Sequence, residues 1–364
     1  MKVKDVTEYL ESLAPRAYQE SYDNSGLLVG EPTQEVTGVL ITLDCTEAVV
    51  QEAIDLGVNL IVAHHPIIFK GLKKLTGSNY VERTVMMAIR HRIALYAIHT
   101  NLDNVHTGVN RKIAEKIGLK NLRILQPKKD TLTKLVTFIP REHVEPVIAA
   151  LHQAGAGQIG DYTNCSFQVE GTGTFMPSGE AKPHIGNINQ QEQVREVRAE
   201  VIFPAHLESR ILGTLKKNHP YEEVAYYLTR LVNDNQEVGS GMVGELETPL
   251  EPMAFLERLK SSMALKVIRH THVLGEKVKK VAICGGSGSF LLPQAIQSGA
   301  NFFVTADFKY HEFFDAEGKI TIADIGHYES EQYTKDLLGE ILIEKFPTFA
   351  VNFSSIDTNP IRYL

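Results

Sequence analysis

Fourteen histidines stand in this chain of 364 residues, and several sit beside carboxylates where a divalent cation could be held. His64 and His65 are adjacent and followed by Pro66, His99 precedes Asp103, and His327 is followed by Glu329 and Glu331. Imidazole and carboxylate donors suit zinc, manganese, iron or nickel, and no thiolate is required. The spacing of His327 and Glu331 puts both on one face of a helix. Together His64, His65, Asp103, His327 and Glu331 exceed what one tetrahedral ion needs and suit two divalent ions, zinc first, bridged by a carboxylate. Such a pair acidifies a water and clamps both oxygens of a displacement, which is the chemistry of phosphoester, amide or ring C–N hydrolysis. His99, Glu329 and His311 are candidates to orient ligands or to shuttle a proton.

Other features carry weaker signals. Asp307 with His311 and Glu312 forms a fourth polar cluster. Cys284-Gly-Gly-Ser-Gly-Ser289 follows a strand and opens a helix, so its N–H groups could receive an anion. It matches neither GxGxxG nor the Walker pattern, and a plain tight turn serves as well. The polar turn Asp23-Asn-Ser-Gly-Leu-Leu-Val-Gly30 either lines the pocket or caps a strand. Cys45 and Cys284 fall at roughly equivalent strand ends and read as small buried hydrophobes. His91, His143, His152, His184, His206, His219, His270 and His272 lack a strand-end position and read as solvent-facing or packing residues.

Ligands of parallel α/β sheets bind beyond the carboxyl ends of the strands, so the elements around these residues decide the reading. Residues 36–42 form an apolar strand, Thr46 caps a helix over 47–56 that stops at Gly57, and 59–63 is a strand running into His64. A helix over 81–91 and a strand over 93–98, ending at His99, complete a parallel β-α-β-α-β unit. Strands over 280–284, 301–305 and 320–324, with a helix over 290–298, repeat it. Residues 52–62 match 294–304 at constant offset, with Gly57 on Gly299 and His65 on Asp307, which reads as an internal duplication.

Between the copies, strands over 134–139 and 197–203, helices over 140–154 and 205–217, a hairpin over 165–176 and a run over 221–231 give β-α-β-β-α-β order. That is the split βαβ, ferredoxin-like sandwich. The expected architecture is α/β: a duplicated three-layer α/β/α core, 1–126 and 244–364, carrying an inserted α+β domain at 127–243.

Apolar residues make up 43% and charged residues 22%, the balance of a globular protein. A net charge of −7 argues against a broad nucleic-acid surface. No apolar run approaches the ~18 residues of a membrane helix, and the N-terminus reads as an amphipathic helix rather than a signal peptide. Three well-separated cysteines fit a reducing cytoplasm.

Asp23-Asn-Ser-Gly-Leu-Leu-Val-Gly, Ala63-His-His-Pro-Ile-Ile-Phe, His99-Thr-Asn-Leu-Asp-Asn and Gly326-His-Tyr-Glu-Ser-Glu together resemble the Nif-three-like family, also labelled GTP cyclohydrolase I type 2 homologues. The long bacterial members carry an insert similar to the PII signalling fold, matching residues 134–232 here. The resemblance implies that His64, His65, Asp103, His327 and Glu331 are dinuclear metal ligands with Glu331 as bridge. It also implies a toroidal homohexamer built from trimers, with the inserts capping its openings. The cyclohydrolase label does not fix the substrate. Two functions are therefore expected as alternatives. One is a metal-dependent hydrolase of the cyclohydrolase or phosphoesterase type, acting on a small nucleotide-like or pterin-like molecule. The other is a non-enzymatic metal-handling or regulatory assembly whose insert senses a small ligand.

Overall fold

A computed structural model describes all residues from Met1 to Leu364. It divides into one unit made of Met1–Gln126 and Val238–Leu364, and a second made of Pro127–Glu237.

The first unit holds two sheets. One runs in the order Gly26–Val29, Ala94–Ala97, Leu60–Ala63, Val39–Thr42, Val351–Phe353. The other runs Arg269–His270, Thr321–Asp324, Phe302–Ala306, Val278–Ser287, Asn235–Leu250, Leu119–Lys128. Their central strands are parallel, and each set ends on a short antiparallel edge strand, Gly26–Val29 or Arg269–His270. The duplication extends to register: Leu60 pairs with Val39 and Ala94, and Phe302 pairs with Val281 and Thr321.

The shared Gly-x-Asn has a physical reason. Gly57 and Gly299 both end a helix at positive φ, +69° and +74°, a conformation that disfavours any residue with a Cβ. Asn59 Oδ1 then accepts from Thr37 N at 2.8 Å, and Asn301 Oδ1 accepts from Lys279 N at 2.9 Å. Each asparagine thus ties the start of its own strand to the start of the preceding one.

These strands are buried on both faces, which is why they read as continuous apolar runs. Ile41, Val62 and Tyr96 point into a core shared with Val281, Phe302 and Val304 of the other sheet. Leu40, Ile61 and Leu95 point the opposite way, where they meet Val49, Val50 and Val85 of the helices Glu47–Asp55 and Tyr80–Arg90. Fully burying each Leu, Ile or Phe contributes ~1.5–3 kcal/mol. No helix of the chain is long and apolar enough to cross a membrane.

The second unit is one antiparallel sheet in the order Phe167–Phe175, Glu192–Pro204, Leu132–Pro140, Tyr226–Leu231. With helices Val144–Gln153 and Glu208–Asn218 packed through Val147, Leu151, Ile211 and Leu215, this is the ferredoxin-like arrangement. Two expected details differ. The hairpin expected within 165–176 is a single strand, Phe167–Phe175, which pairs with Glu192–Pro204 across a long loop. The unit also ends at Glu237 rather than at 243, because the strand Asn235–Leu250 has joined the core sheet by Met242, which pairs with Ile283.

Candidate metal centre

The strand Leu60–Ala63 delivers His64 and His65 to its carboxyl end, where their N–H groups donate to Thr42 O and Leu43 O. His64 is fully buried. Its Nδ1–H donates to Ile98 O at 2.8 Å, which leaves Nε2 as a lone pair facing inward. That nitrogen lies 3.6 Å from Asp103 Oδ1 and 3.9 Å from Glu331 Oε1, too far for hydrogen bonds. Both His64 Nε2 and Asp103 Oδ1 are buried without a hydrogen-bond partner. Leaving such a group unpaired costs ~1–3 kcal/mol. A cation among the three donors removes that penalty, and tetrahedral zinc bonds of about 2.1 Å put donors about 3.4 Å apart. The donor set therefore fits a divalent ion.

A second triad stands beside it. His65 Nε2 lies 2.9 Å and His327 Nε2 3.2 Å from the same oxygen, Glu331 Oε2. Behind each ring stands a carboxylate: Asp44 Oδ1 is 2.7 Å from His65 Nδ1, and Asp307 Oδ2 is 2.6 Å from His327 Nδ1. Such backing fixes the ring and aims its other nitrogen at the ligand position. Thr358 donates to the remaining oxygen of Asp44 at 2.6 Å. Glu331 thus addresses the first triad with Oε1 and the second with Oε2.

The electrostatics agree with the geometry. Burial pulls the His65 and His327 imidazoles down, but the neighbouring carboxylates outweigh it and raise them to about 10 and about 11. Glu331 is held well below the usual carboxylate range: burial opposes this, but the charge of His327 and the histidine hydrogen bonds prevail. Asp103 is pushed up by burial and then by the Glu331 charge. The cluster is a negative site that attracts cations, protons included.

His99 lines the same cavity, its ring edge-on to His64 and His65 at 5.3 Å from each. One of its nitrogens lies within 4.8 Å of theirs. Nδ1 is bound at 2.8 Å to Asp23, which also accepts from Thr100 N, Asn24 N and Ser25 Oγ. Burial acts against the charged form of Asp23, but these bonds and the His99 charge hold its carboxyl well below the ordinary range.

The two other candidates for proton transfer lie elsewhere. Glu329 is buried and accepts from Asn359 Nδ2 at 3.0 Å. Two residues along a helix from His327 it cannot share that face. His311 is exposed in the 3-10 segment Tyr310–Ala316, stacked on Phe314. Two N–H groups of the glycine loop after Cys284 are taken up within the fold: Gly285 N donates to Asn110 Oδ1 and Gly286 N to Ser330 Oγ. Cys284 continues the strand from Ile283, which pairs with Val304; the register matches it to Thr42 rather than to Cys45. Both cysteines are buried, and burial pushes the Cys45 thiol up to about 12. Sequence reasoning missed Asp44, although it closes the turn after a parallel strand, where the other site residues were sought.

A cavity of about 500 Å³ opens over the two triads. The family model Duf34/NIF3 (NGG1p interacting factor 3) matches residues 1–360. A Staphylococcus aureus (strain MSSA476) relative named GTP cyclohydrolase 1 type 2 homolog is 39% identical over 369 residues, covering 100% of both chains. A Staphylococcus epidermidis (strain ATCC 12228) relative of the same name is 36% identical, again over 100% of both. Among solved structures, a Bacillus cereus protein related to NIF3 superposes with a TM-score of 0.87 at 37% identity, covering 100% of this chain and 99% of that one.

Proposed function

The chain belongs to the Duf34/NIF3 family, and from that membership we propose a metal-dependent hydrolase with two divalent cations. His64, Asp103 and Glu331 would hold one, and His65, His327 and Glu331 the other. One observation carries the reading: the two oxygens of a buried carboxylate, Glu331, face two different histidine sets. Zinc is the first candidate, and manganese, iron or nickel suits the same donors. When bound, such a pair supplies Lewis-acid polarisation of the scissile group and an acidified water.

The protein's own residues do the rest. Ile98 O, Asp44 and Asp307 fix the rings of His64, His65 and His327. His99, with Asp23 behind it, carries a proton between the cavity and its wall. The name of the Staphylococcus relatives supports opening of a heterocyclic C–N bond in a small nucleotide-like or pterin-like substrate. The proposal includes self-association into a homohexamer, which light scattering would read directly.

Protein loaded with each metal and offered phosphoesters, nucleotides and cyclic amides should turn over at least one of them, and Glu331→Gln should lose metal and turnover together. Full metal occupancy with no turnover across the panel would overturn the hydrolase reading.

A further inference from the structure

The wall of the metal cavity limits what can occupy it. None of its lining residues is lysine or arginine. Glu20, Asp44, Asp103 and Glu331 bring four carboxyl groups to that wall, whose full ionisation two divalent cations would only balance. Polyphosphates are gripped by arginine or lysine side chains or by free backbone N–H groups. Here the N–H groups of Gly285 and Gly286 are already committed to Asn110 and Ser330. The amides in the wall are committed too: Asn104 Nδ2 donates to Tyr18 O and Glu20 Oε1, and Asn359 Nδ2 to Glu329 Oε1.

What the wall does present is ring faces. Tyr22, Phe69 and Phe290 are 62%, 44% and 59% exposed, and Tyr328 joins them around the cavity. Tyr22 and Phe69 lie 6.2 Å apart, and Phe69 stands 6.2 Å from His99. Exposed aromatic rings beside a polar floor are suited to a flat ring held by stacking.

We infer that this cavity selects a planar aromatic heterocycle, held between these rings and bound to the cations through one anionic group, and that it rejects nucleoside triphosphates. The inference rests on the dinuclear reading above and narrows it, dividing nucleoside triphosphates from heterocycles that carry a single anionic group. A triphosphate would bring three phosphate groups to a wall with no lysine or arginine to meet the two outer ones.

The test is equilibrium dialysis of zinc-loaded protein against pterin-6-carboxylate, guanosine, GMP and GTP, with bound zinc measured in the same cell. The expected result is that pterin-6-carboxylate and GMP bind at least about tenfold more tightly than GTP. Phe69→Ala and Phe290→Ala should each weaken them about tenfold by loss of stacking, with bound zinc unchanged. Phe290→Arg should strengthen GTP binding by supplying the missing cation. GTP binding as tightly as GMP, no binding by any of the four, or no response to the aromatic substitutions would each overturn the inference while the zinc content stood. Failure to bind zinc would instead remove the dinuclear reading, and the inference with it.

Discussion

The two halves of the core have matching strand registers and supply different chemistry from them. In the first half the second strand, Leu60–Ala63, ends in His64 and His65, which belong to the groups that could hold a metal ion. In the second half the matching strand, Phe302–Ala306, ends in Asp307, which reaches only the back of His327. The third strands behave alike: each is followed by a short helix, Thr100–Asp103 or His327–Glu331, that ends in a carboxylate ligand candidate. The comparison separates what the scaffold fixes from what it leaves free. Register fixes where a side chain emerges, and the residue placed there decides whether it binds or supports.

The strongest way to break this picture is to remove the two helix-end carboxylates in turn. Glu331→Gln should empty both triads, and Asp103→Asn only the one containing His64, so metal analysis should give nearly no bound ion in the first variant and about half the normal content in the second. Equal losses would mean that Glu331 does not span the two sites. Next in size are the supporting carboxylates. Asp44→Asn and Asp307→Asn should each weaken metal binding by about 10–100-fold, read by competition with a chromophoric chelator. A larger effect for Asp44, which Thr358 also braces, would sharpen the contrast between the halves.

Smaller effects test the shared scaffold. Gly57→Ala and Gly299→Ala each force a Cβ into positive φ with no atom within 4 Å to clash, so each should cost about 1 kcal/mol from backbone conformation alone. Thermal melts should fall by about 2 °C in both, and unequal shifts would mean the turns are not equivalent. Smallest of all is a local acid effect found in the first half. Glu82 accepts from Thr76 N and Ser78 N at the start of its helix, and those bonds lower its carboxyl to about 2. A depressed folded value means the stabilisation is complete above the unfolded value of about 4.3 and is lost as pH falls towards 2. Hydrogen exchange across residues 76–79 should therefore accelerate in that window, and Glu82→Gln should flatten the dependence.

Much of this was legible in the chain because it is local. Gly57 and Asn59, with their partners Gly299 and Asn301, state a helix stop and a strand start within three residues. His64-His65 and His327 through Glu331 each lie at the end of one strand or on one short helix. What could not be read is pairing across distance. Asp23 reaches His99 from 76 positions away, and Asp44 is completed by Thr358, 314 positions on. Glu329 shows the opposite failure: its nearness to His327 in the chain suggested a role that helical rotation denies it. His311 follows a strand end in the chain, yet it is exposed in the 3-10 segment Tyr310–Ala316 and is not among the residues lining the cavity.

The strand Val351–Phe353 lies parallel to Val39–Thr42 at the margin of the first sheet. Ser354 and Ser355, just beyond it, are fastened to Glu52. During synthesis on the ribosome, residues 39–42 therefore emerge roughly three hundred residues before the neighbour that covers them. Until then the nascent chain carries an open β-edge, the kind of surface that recruits chaperones or pairs with another chain. Folding of the amino-terminal half is thus tied to synthesis of Val351–Phe353, and removing that strand would leave the edge permanently bare.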